Sequence, residues 1–460
     1  MKIFLFCLIL FCSLFSFSSA HAATVIYRSV GAGNTANLNA NSRTVTISGT
    51  TVTFSGAMPN NVGVGDVLQY QISSTYYLAF ISSRTSSTQY TVQAADGGAP
   101  QAAPSGTAVN VYRAYTSLAD AVTGSGLENP AIDASVRDFD SWTGGKDLVT
   151  ADEQWNIACY SDAEDLTTGV AINNSAIDWV TDDTHYIKIY TPYLSSEVGI
   201  SQRPNGAWDD SKYRLDSDDD TNGPPMNINS ANVWIDGLQI FSGATMMGTD
   251  AIDLTNTSGK VKISNSILKA DPVNGMSNFG INISTISNAG IYQAWNNIIY
   301  GFLQGGISLD GSANILYAYN NTTIGSAGAG EDICYNSVNG TFVAKNDIAQ
   351  NCATGYGGTF DSNSQNNLSD LSSDAPGTNS TNNSSLTFAD STNADYHLNA
   401  SDTTAIGDGI NLSADTNLSF STDIDSDSRP ATGAWDIGAD EYVSLGNATT
   451  PAACTGLSVY

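Results

Sequence analysis

Four phrases decide how this chain folds: Val261-Lys-Ile-Ser-Asn265-Ser-Ile267, Tyr292-Gln-Ala-Trp-Asn296-Asn-Ile298, Leu316-Tyr-Ala-Tyr-Asn320-Asn-Thr322 and Phe342-Val-Ala-Lys-Asn346-Asp-Ile348. Their leading Asn residues lie 31, 24 and 26 residues apart, and a weaker copy, Asn366-Asn367-Leu368, follows 20 residues on. A period in the twenties built from short strands, with no helical pattern between them, predicts a β-solenoid. Side chains alternate along an extended chain, so positions −4, −2, 0 and +2 about each Asn share a face. Val261, Ile263, Asn265 and Ile267 stand there, then Tyr292, Ala294, Asn296 and Ile298, then Leu316, Ala318, Asn320 and Thr322. This face is apolar or small and is expected to point inward, with Asn265, Asn296, Asn320 and Asn346 forming a ladder at one corner. An unpaired buried amide costs roughly 1–3 kcal/mol, which a ladder offsets coil by coil. The plainer alternative is that these Asn residues only punctuate turns. Val170-Ala-Ile172, Ile187-Lys-Ile189 and Val233-Trp-Ile235 fit the same template.

Ahead of the repeats, residues 23–113 read as a small all-β module, a sandwich or barrel. Alternating runs such as Thr44-Val-Thr-Ile47 and Thr51-Val-Thr-Phe54 are separated by turn residues. Thr116 to Val122 reads as a brief helix with Ser117 as N-cap. The solenoid is expected over 114–445, and 446–460 is a tail. Residues 1–22 read as a secretory signal: Lys2, an apolar run from Ile3 to Phe17, and a small-residue end at Ala22. That run is too short to span a bilayer, so a soluble, secreted or cell-surface protein without a transmembrane anchor is expected. Past it, Cys159, Cys334, Cys352 and Cys454 allow three pairings or none. Cys334 and Cys352, about one repeat apart, are placed to stack on neighbouring coils.

Composition agrees with this class. The 460 residues carry 16 Lys+Arg against 45 Asp+Glu, a net charge of -29. Such a surface repels phosphate backbones, so nucleic acid is not an expected partner. Only 13% of residues are charged, which argues against coiled coils and charge-driven disorder, and 42 Gly indicate a turn-rich chain.

These features together resemble the right-handed parallel β-helix superfamily, the pectate-lyase-like fold of secreted lyases, phage tailspikes and bacterial surface proteins. The brief helix at Thr116–Val122 resembles the cap such proteins place over the first coil, and the stretch from Asp147-Leu-Val149 through Tyr186-Ile-Lys-Ile189 resembles the first coils of bacterial members. Asp423-Ile-Asp425-Ser-Asp427-Ser-Arg429-Pro430, followed by Asp436-Ile-Gly-Ala-Asp440-Glu441, is similar to the closing segment of surface β-helix proteins of the choice-of-anchor type, with Ser426 where Gly is usual. The resemblance covers roughly 114–445. It implies an all-β fold, a right-handed parallel β-helix preceded by the small module, and fixes no activity, because this fold hosts many. The tail holds no apolar run or basic cluster, so anchoring through it is not expected.

Chemistry is then sought on the outward positions: Lys262/Ser264, Gln293/Trp295, Tyr317/Tyr319 and Val343/Lys345 on successive coils. Trp295 over Tyr319, with Gln293, Tyr317 and Lys345 beside them, would suit sugar rings, whose C–H faces stack on aromatics. The alternative is that a loop or the C-terminal segment covers this stripe. Two acidic phrases are calcium candidates: Asp218, Asp220 and Asn222, and Asp423, Asp425 and Asp427. The competing readings are solvated turns, with Arg429 paired to an acid such as Asp436 to staple the last coil. The best mixed-charge cluster for a lyase is Arg203, Asp209, Asp210, Lys212 and Arg214. The paired aspartates and Gly-His-Gly that hydrolases of the resembled fold carry are not found beside His185 or His397. The first expectation is therefore a non-catalytic secreted or surface protein that binds glycans or partner surfaces through one face of the solenoid. The alternative is a lyase acting on acidic polysaccharide.

Overall fold

The computed structural model describes residues 22–443, apart from 168, 173–178, 218–222, 230–231, 244–248, 256–258, 272–277, 285–288 and 327–331. Residues 1–21 of the expected signal segment (1–22), the tail with Cys454, and the Asp218–Asn222 phrase lie outside the described residues.

Three parallel sheets run the length of the repeat region and form a parallel β-helix. The first has eight strands: Thr24–Gly31, Glu153–Tyr160, Ile187–Tyr190, Val233–Asp236, Gly259–Ser264, Gly290–Trp295, Ile315–Tyr319 and Thr341–Lys345. A second, of seven strands, runs from Val170–Ile172 to Thr354–Gly358, and a third, of eight, from Asp165–Thr167 to Leu368–Ser369. Each coil passes from the first sheet through its Asn corner to the third sheet, then to the second, and back. Each phrase is too short and too apolar on one side to bury its face alone, so it buries it against the coils above and below.

The corner is where simple alternation fails. Asn265, Asn296, Asn320 and Asn346 all have φ between 51° and 55°, the left-handed region that Asn tolerates better than most residues. The strict two-residue alternation holds only for extended backbone, so the pattern resets there. Before the corner the expectation holds: Val261, Ile263, Tyr292, Ala294, Leu316 and Ala318 lie in the interior cluster. After it the sides exchange. Ile267 and Ile298, expected inside, face outward and are covered by Ile424, Ile437 and Ala439 of the C-terminal segment.

The expected inward Asn ladder is therefore corrected by one residue. The four corner Asn do lie in one column, with Asn296 Nδ2 donating to Asn265 Oδ1 (3.1 Å) and Asn346 Nδ2 to Asn320 Oδ1 (3.0 Å). They also turn to the C-terminal segment: Asn296 donates to the Thr422 carbonyl, and Asn320 to those of Asp436 and Gly438. The interior ladder is made by the next residue. Asn297 Nδ2 donates to Asn321 Oδ1 (3.0 Å), Asn321 Nδ2 to Asp347 Oδ1 (3.0 Å), and the Asp347 N–H to Asn367 Oδ1 (3.1 Å). Oδ1 of Asn297, Asn321 and Asp347 also accepts a backbone N–H of the preceding coil, from Ser266, Asn297 and Asn321.

Asp347 is the odd member of that column. Asn297, Asn321 and Asn367 each aim Nδ2 at a backbone carbonyl of the coil before, on Ile263, Ala294 and Ala344. The corresponding Asp347 Oδ2 is buried and makes no hydrogen bond. Burial pushes the Asp347 carboxyl well above the usual range, outweighing the hydrogen bonds from Asn321. A group raised in the folded state contributes stability that is full below its unfolded pKa and is lost as pH rises through its folded one. Asp347→Asn is thus expected to stabilise the protein at pH 8 more than at pH 5, measured by chemical denaturation at both. Equal effects at the two pH values would contradict the assignment.

The helix Leu118–Thr123 has Ser117 as N-cap, accepting from the Asp120 N–H, and buries Leu118, Ala121 and Val122 against the first coil. A short helix at Leu148–Ala151, not anticipated, opens the next turn under an Asp147 cap. The six strands between Thr44 and Tyr112 close into an antiparallel barrel. The expected boundary needs one correction: Thr24–Gly31 leaves the barrel out and pairs in parallel with Glu153–Tyr160 as the first strand of the solenoid. Val170–Ile172 likewise belongs to the second sheet, not to the face of Ile187–Tyr190. Two buried arginines lock barrel to solenoid. Arg113 bridges Asp66 of the barrel and Asp162 of the solenoid at 2.7 Å each. Arg28, on the first solenoid strand, donates to the Ala95 carbonyl and lies over the Phe80 ring of the barrel, while its Nε pairs with Asp140. Cys334 and Cys352 form a disulfide (Cα–Cα 5.8 Å) inside the coils, and Cys159 is a buried free thiol. Among the described residues no helix is long and apolar enough to cross a membrane.

Candidate functional site

The outward face of the first sheet carries two columns, fixed by strand register. One runs Lys188, Trp234, Lys262, Gln293, Tyr317, Val343; the other runs Tyr190, Asp236, Ser264, Trp295, Tyr319, Lys345. Trp295 and Tyr319 are adjacent in register, as expected, but they are not displayed. Trp295 is 7% exposed and Tyr319 0%. Leu412, Leu418 and Trp435 of the C-terminal segment pack on them, and Phe420 lies 6.3 Å from the Trp295 ring. Gln293 donates to the Asn417 carbonyl, and Lys345 is paired with Asp415 at 2.7 Å. Tyr317 stays half-buried beside Tyr319. The sugar platform expected at Trp295 and Tyr319 is therefore corrected: these rings are the seat of the closing segment, whose own apolar residues need a partner.

Below that cover the same face stays open. A groove runs from Asp182, Asp183 and Tyr186, past Asn232 and Trp234, to Lys260 and Lys262. It continues into a cavity of about 270 Å3 between Trp234, Lys262, Gln293, the edge of Trp295 and the 415–419 stretch. Half-buried Trp234 is its centre. Its Nε1 donates to Ser264 Oγ (2.9 Å), which holds the indole in place. Lys188 Nζ lies 4.0 Å and Lys262 Nζ 5.1 Å from the ring centroid.

Charge is arranged unevenly around that ring. Lys188 is paired with Asp236 (3.3 Å), and Lys260 with the exposed Asp183 (3.2 Å). Asp236 also takes Arg203 (2.9 Å) and Asn265 Nδ2 (2.7 Å). Burial would push its carboxyl up, but the Arg203 and Lys188 charges outweigh that and hold it well below the usual range. Lys262 has no ion pair among the described residues. Burial, and then the neighbouring Lys260 charge, lower its pKa. Two lysines, Lys188 and Lys262, thus flank one indole, while Lys260 and the carboxylates of Asp182 and Asp183 line the same groove.

Of the mixed-charge cluster expected on the 203–214 loop, only Asp210 and Arg214 come together (3.8 Å), with Arg214 also donating to the Asp210 carbonyl. Arg203 is buried against Asp236 and Tyr193. Asp209 caps its own turn through the Ser211 N–H, and Lys212 donates to the Ser201 carbonyl. Arg214 pairs with Glu164 (3.2 Å), and Asp210 is an exposed partner of Trp208 Nε1. Each charge is spent holding the loop. Asp423, Asp425 and Asp427 do converge, with ligand atoms within 4.8 Å. Buried Asp423, however, uses both oxygens on the backbone N–H groups of Asp425, Asp427 and Glu441. Arg429 staples the last coil, but not to the Asp436 carboxylate. It donates to Glu441 Oε2 (3.0 Å), to the Asp436, Gly438 and Ala439 carbonyls, and to Asn296 Oδ1. His185 lies between Asp152 and Asp182 at a strand edge.

Sequence reading missed Trp234, Lys188 and Tyr186 as site residues. The signal was present: Val233-Trp-Ile235 and Ile187-Lys-Ile189 match the template, and aligning them with Val261-Lys-Ile263 puts Lys188, Trp234 and Lys262 in one outward column.

No family model matches this chain, and no curated protein does. Among solved structures, the tailspike protein gp49 from Pseudomonas phage LKA1 is similar at 13% identity over 74% of this chain, with a TM-score of 0.23. The chain spans 57% of the length of that tailspike. The fold stands on its own strand pairing, and no family is assigned.

Proposed function

We propose that this is a secreted or surface β-helix protein that binds saccharide chains bearing anionic groups in the open groove around Trp234. The observation that carries this reading is the ammonium of Lys262, which has no ion pair among the described residues, beside a fixed, half-buried indole. An indole offers a sugar its flat apolar face, and clustered ammonium groups meet a carboxylate or sulfate. The closing segment supports the reading by walling the groove at 415–419 without filling it.

The test is a saccharide array spanning neutral, uronate-containing and sulfated chains. Wild-type protein should retain acidic chains, with affinity falling as salt rises. Trp234→Ala and Lys262→Ala should each bind about tenfold more weakly, the equivalent of 1.4 kcal/mol. Retention of the same chains by both variants at wild-type strength would remove the groove as the binding surface.

A second reading, a polysaccharide lyase, is favoured by one observation. A half-buried lysine with a lowered pKa can accept a proton, as the β-elimination of a uronate requires. Ultraviolet absorbance of unsaturated sugar ends, lost in Lys262→Ala, would select it over simple binding.

A further inference from the structure

The C-terminal closing segment meets the 203–212 loop at a second cluster that the groove does not use. His397 sits on the strand Asp395–Leu398, Asp425 in the turn after Asp423, and Asp440 near the end of the described chain. His397 Nδ1 is held by Asp395 Oδ1 at 2.5 Å, which turns Nε2 toward Asp425 and Asp440. One ligand atom from each of His397, Asp425 and Asp440 lies within 4.8 Å of the others. Nε2 is 3.3 Å from Asp425 Oδ2, yet Nε2 and Asp425 Oδ1 are both sealed from solvent and make no hydrogen bond. Asp440 is buried and anchored by the Leu398 N–H at 2.7 Å. Gly206, at φ +64°, closes the cluster from the loop side, where a Cβ would come within 2.2 Å of Nε2 and 2.7 Å of Asp425 Oδ1.

The 3.3 Å approach of Nε2 to Asp425 Oδ2 is the spacing of an imidazolium ion pair and equally of two ligands on one ion, and sealed Asp425 Oδ1 has no hydrogen bond of its own. A carboxylate that fixes one imidazole nitrogen while the other faces two more carboxylates is the arrangement that orients a metal-binding histidine. The donor set selects the ion. Calcium and magnesium take oxygen ligands, whereas one imidazole nitrogen with two carboxylate oxygens suits zinc and its neighbours. We propose that His397, Asp425 and Asp440 bind one divalent first-row transition ion of the zinc class. The ion would tie the 395–398 strand, the 423–427 turn and the last residues to one another beneath Gly206.

The test uses the full chain, stripped with chelator and titrated by calorimetry with zinc chloride alone and calcium chloride alone. One Zn2+ per chain is expected, with Ca2+ at least tenfold weaker, and zinc should raise the thermal midpoint of the stripped protein. Cobalt(II) in its place should give visible d–d bands without a thiolate charge-transfer band. His397→Gln should abolish both signals, and Asp395→Asn should weaken zinc about tenfold or more while keeping one site. No zinc binding by wild type, or zinc binding unchanged in His397→Gln, would overturn the proposal. So would calcium binding as tight as zinc. Should His397→Gln fail to fold, Asp395→Asn decides: unchanged zinc affinity overturns the site.

Discussion

Asn321→Ala is expected to destabilise the solenoid by about 4 kcal/mol, the largest effect of any single amide among the described residues. Its Oδ1 accepts both the backbone N–H and the Nδ2 of Asn297, and its Nδ2 donates to Asp347 Oδ1 and to the Ala294 carbonyl. All of these groups are buried in the interior, so truncation strands them away from water. The neighbouring corner residue is the control. Asn320→Gly keeps the left-handed backbone and loses the bonds to the Asp436 and Gly438 carbonyls and from Asn346. Its expected cost is about 1–2 kcal/mol. Urea unfolding of the two variants measures the difference. A larger loss for Asn320→Gly would mean that the corner column, not the interior one, binds coil to coil.

Arg429→Ala is expected to cost about 3–5 kcal/mol, concentrated in the closing segment. The guanidinium is fully buried and joins the Glu441 carboxylate, three carbonyls of 436–439 and Asn296 of the solenoid. Removing it leaves the buried Glu441 without its cation. The segment from about 405 to 442 should then open as a unit while the coils beneath stay folded. Trp295, Tyr319 and Val343 would lose their cover. Two readings follow: an apolar fluorescent dye should bind the variant and not wild type, and limited proteolysis should cut within 405–442 first. Cooperative loss of the whole β signal at the same denaturant concentration would contradict a separable lid.

How much of this was legible beforehand depends on how local the cause is. Val261, Ile263, Tyr292 and Leu316 announce an inward face because extended backbone alternates. The reset at Asn265 and its counterparts is also local, a left-handed residue in a strand-like phrase. The doubled Asn296-Asn297 and Asn320-Asn321 offered the choice, and alternation alone picked the wrong member. The fate of Trp295 and Tyr319 was not legible. Their cover comes from Leu412, Leu418 and Trp435, about 90–140 residues away in sequence, and the phrases around those residues carry no repeat to reveal where they dock. The same holds for the metal cluster. His397, Asp425 and Asp440 are separated by loops, and only the seating of the closing segment brings them together. Trp234 is the intermediate case, since its column follows from the repeat once Val233-Trp-Ile235 is aligned with Val261-Lys-Ile263.

Groove, lid and metal cluster all presuppose that the first sheet stacks one strand per coil, in register. Spin labels test this directly. Gln154, Ile291, Ile315 and Thr341 belong to one column, reached through Tyr186, Asn232 and Lys260. At the strand spacing of about 4.8 Å, a label at Gln154→Cys should lie about 19, 24 and 29 Å from labels at Ile291→Cys, Ile315→Cys and Thr341→Cys. Pulsed electron–electron resonance should return three distances that rise in that order by about one strand spacing each. Distances that do not rise with coil number would contradict the stacked solenoid.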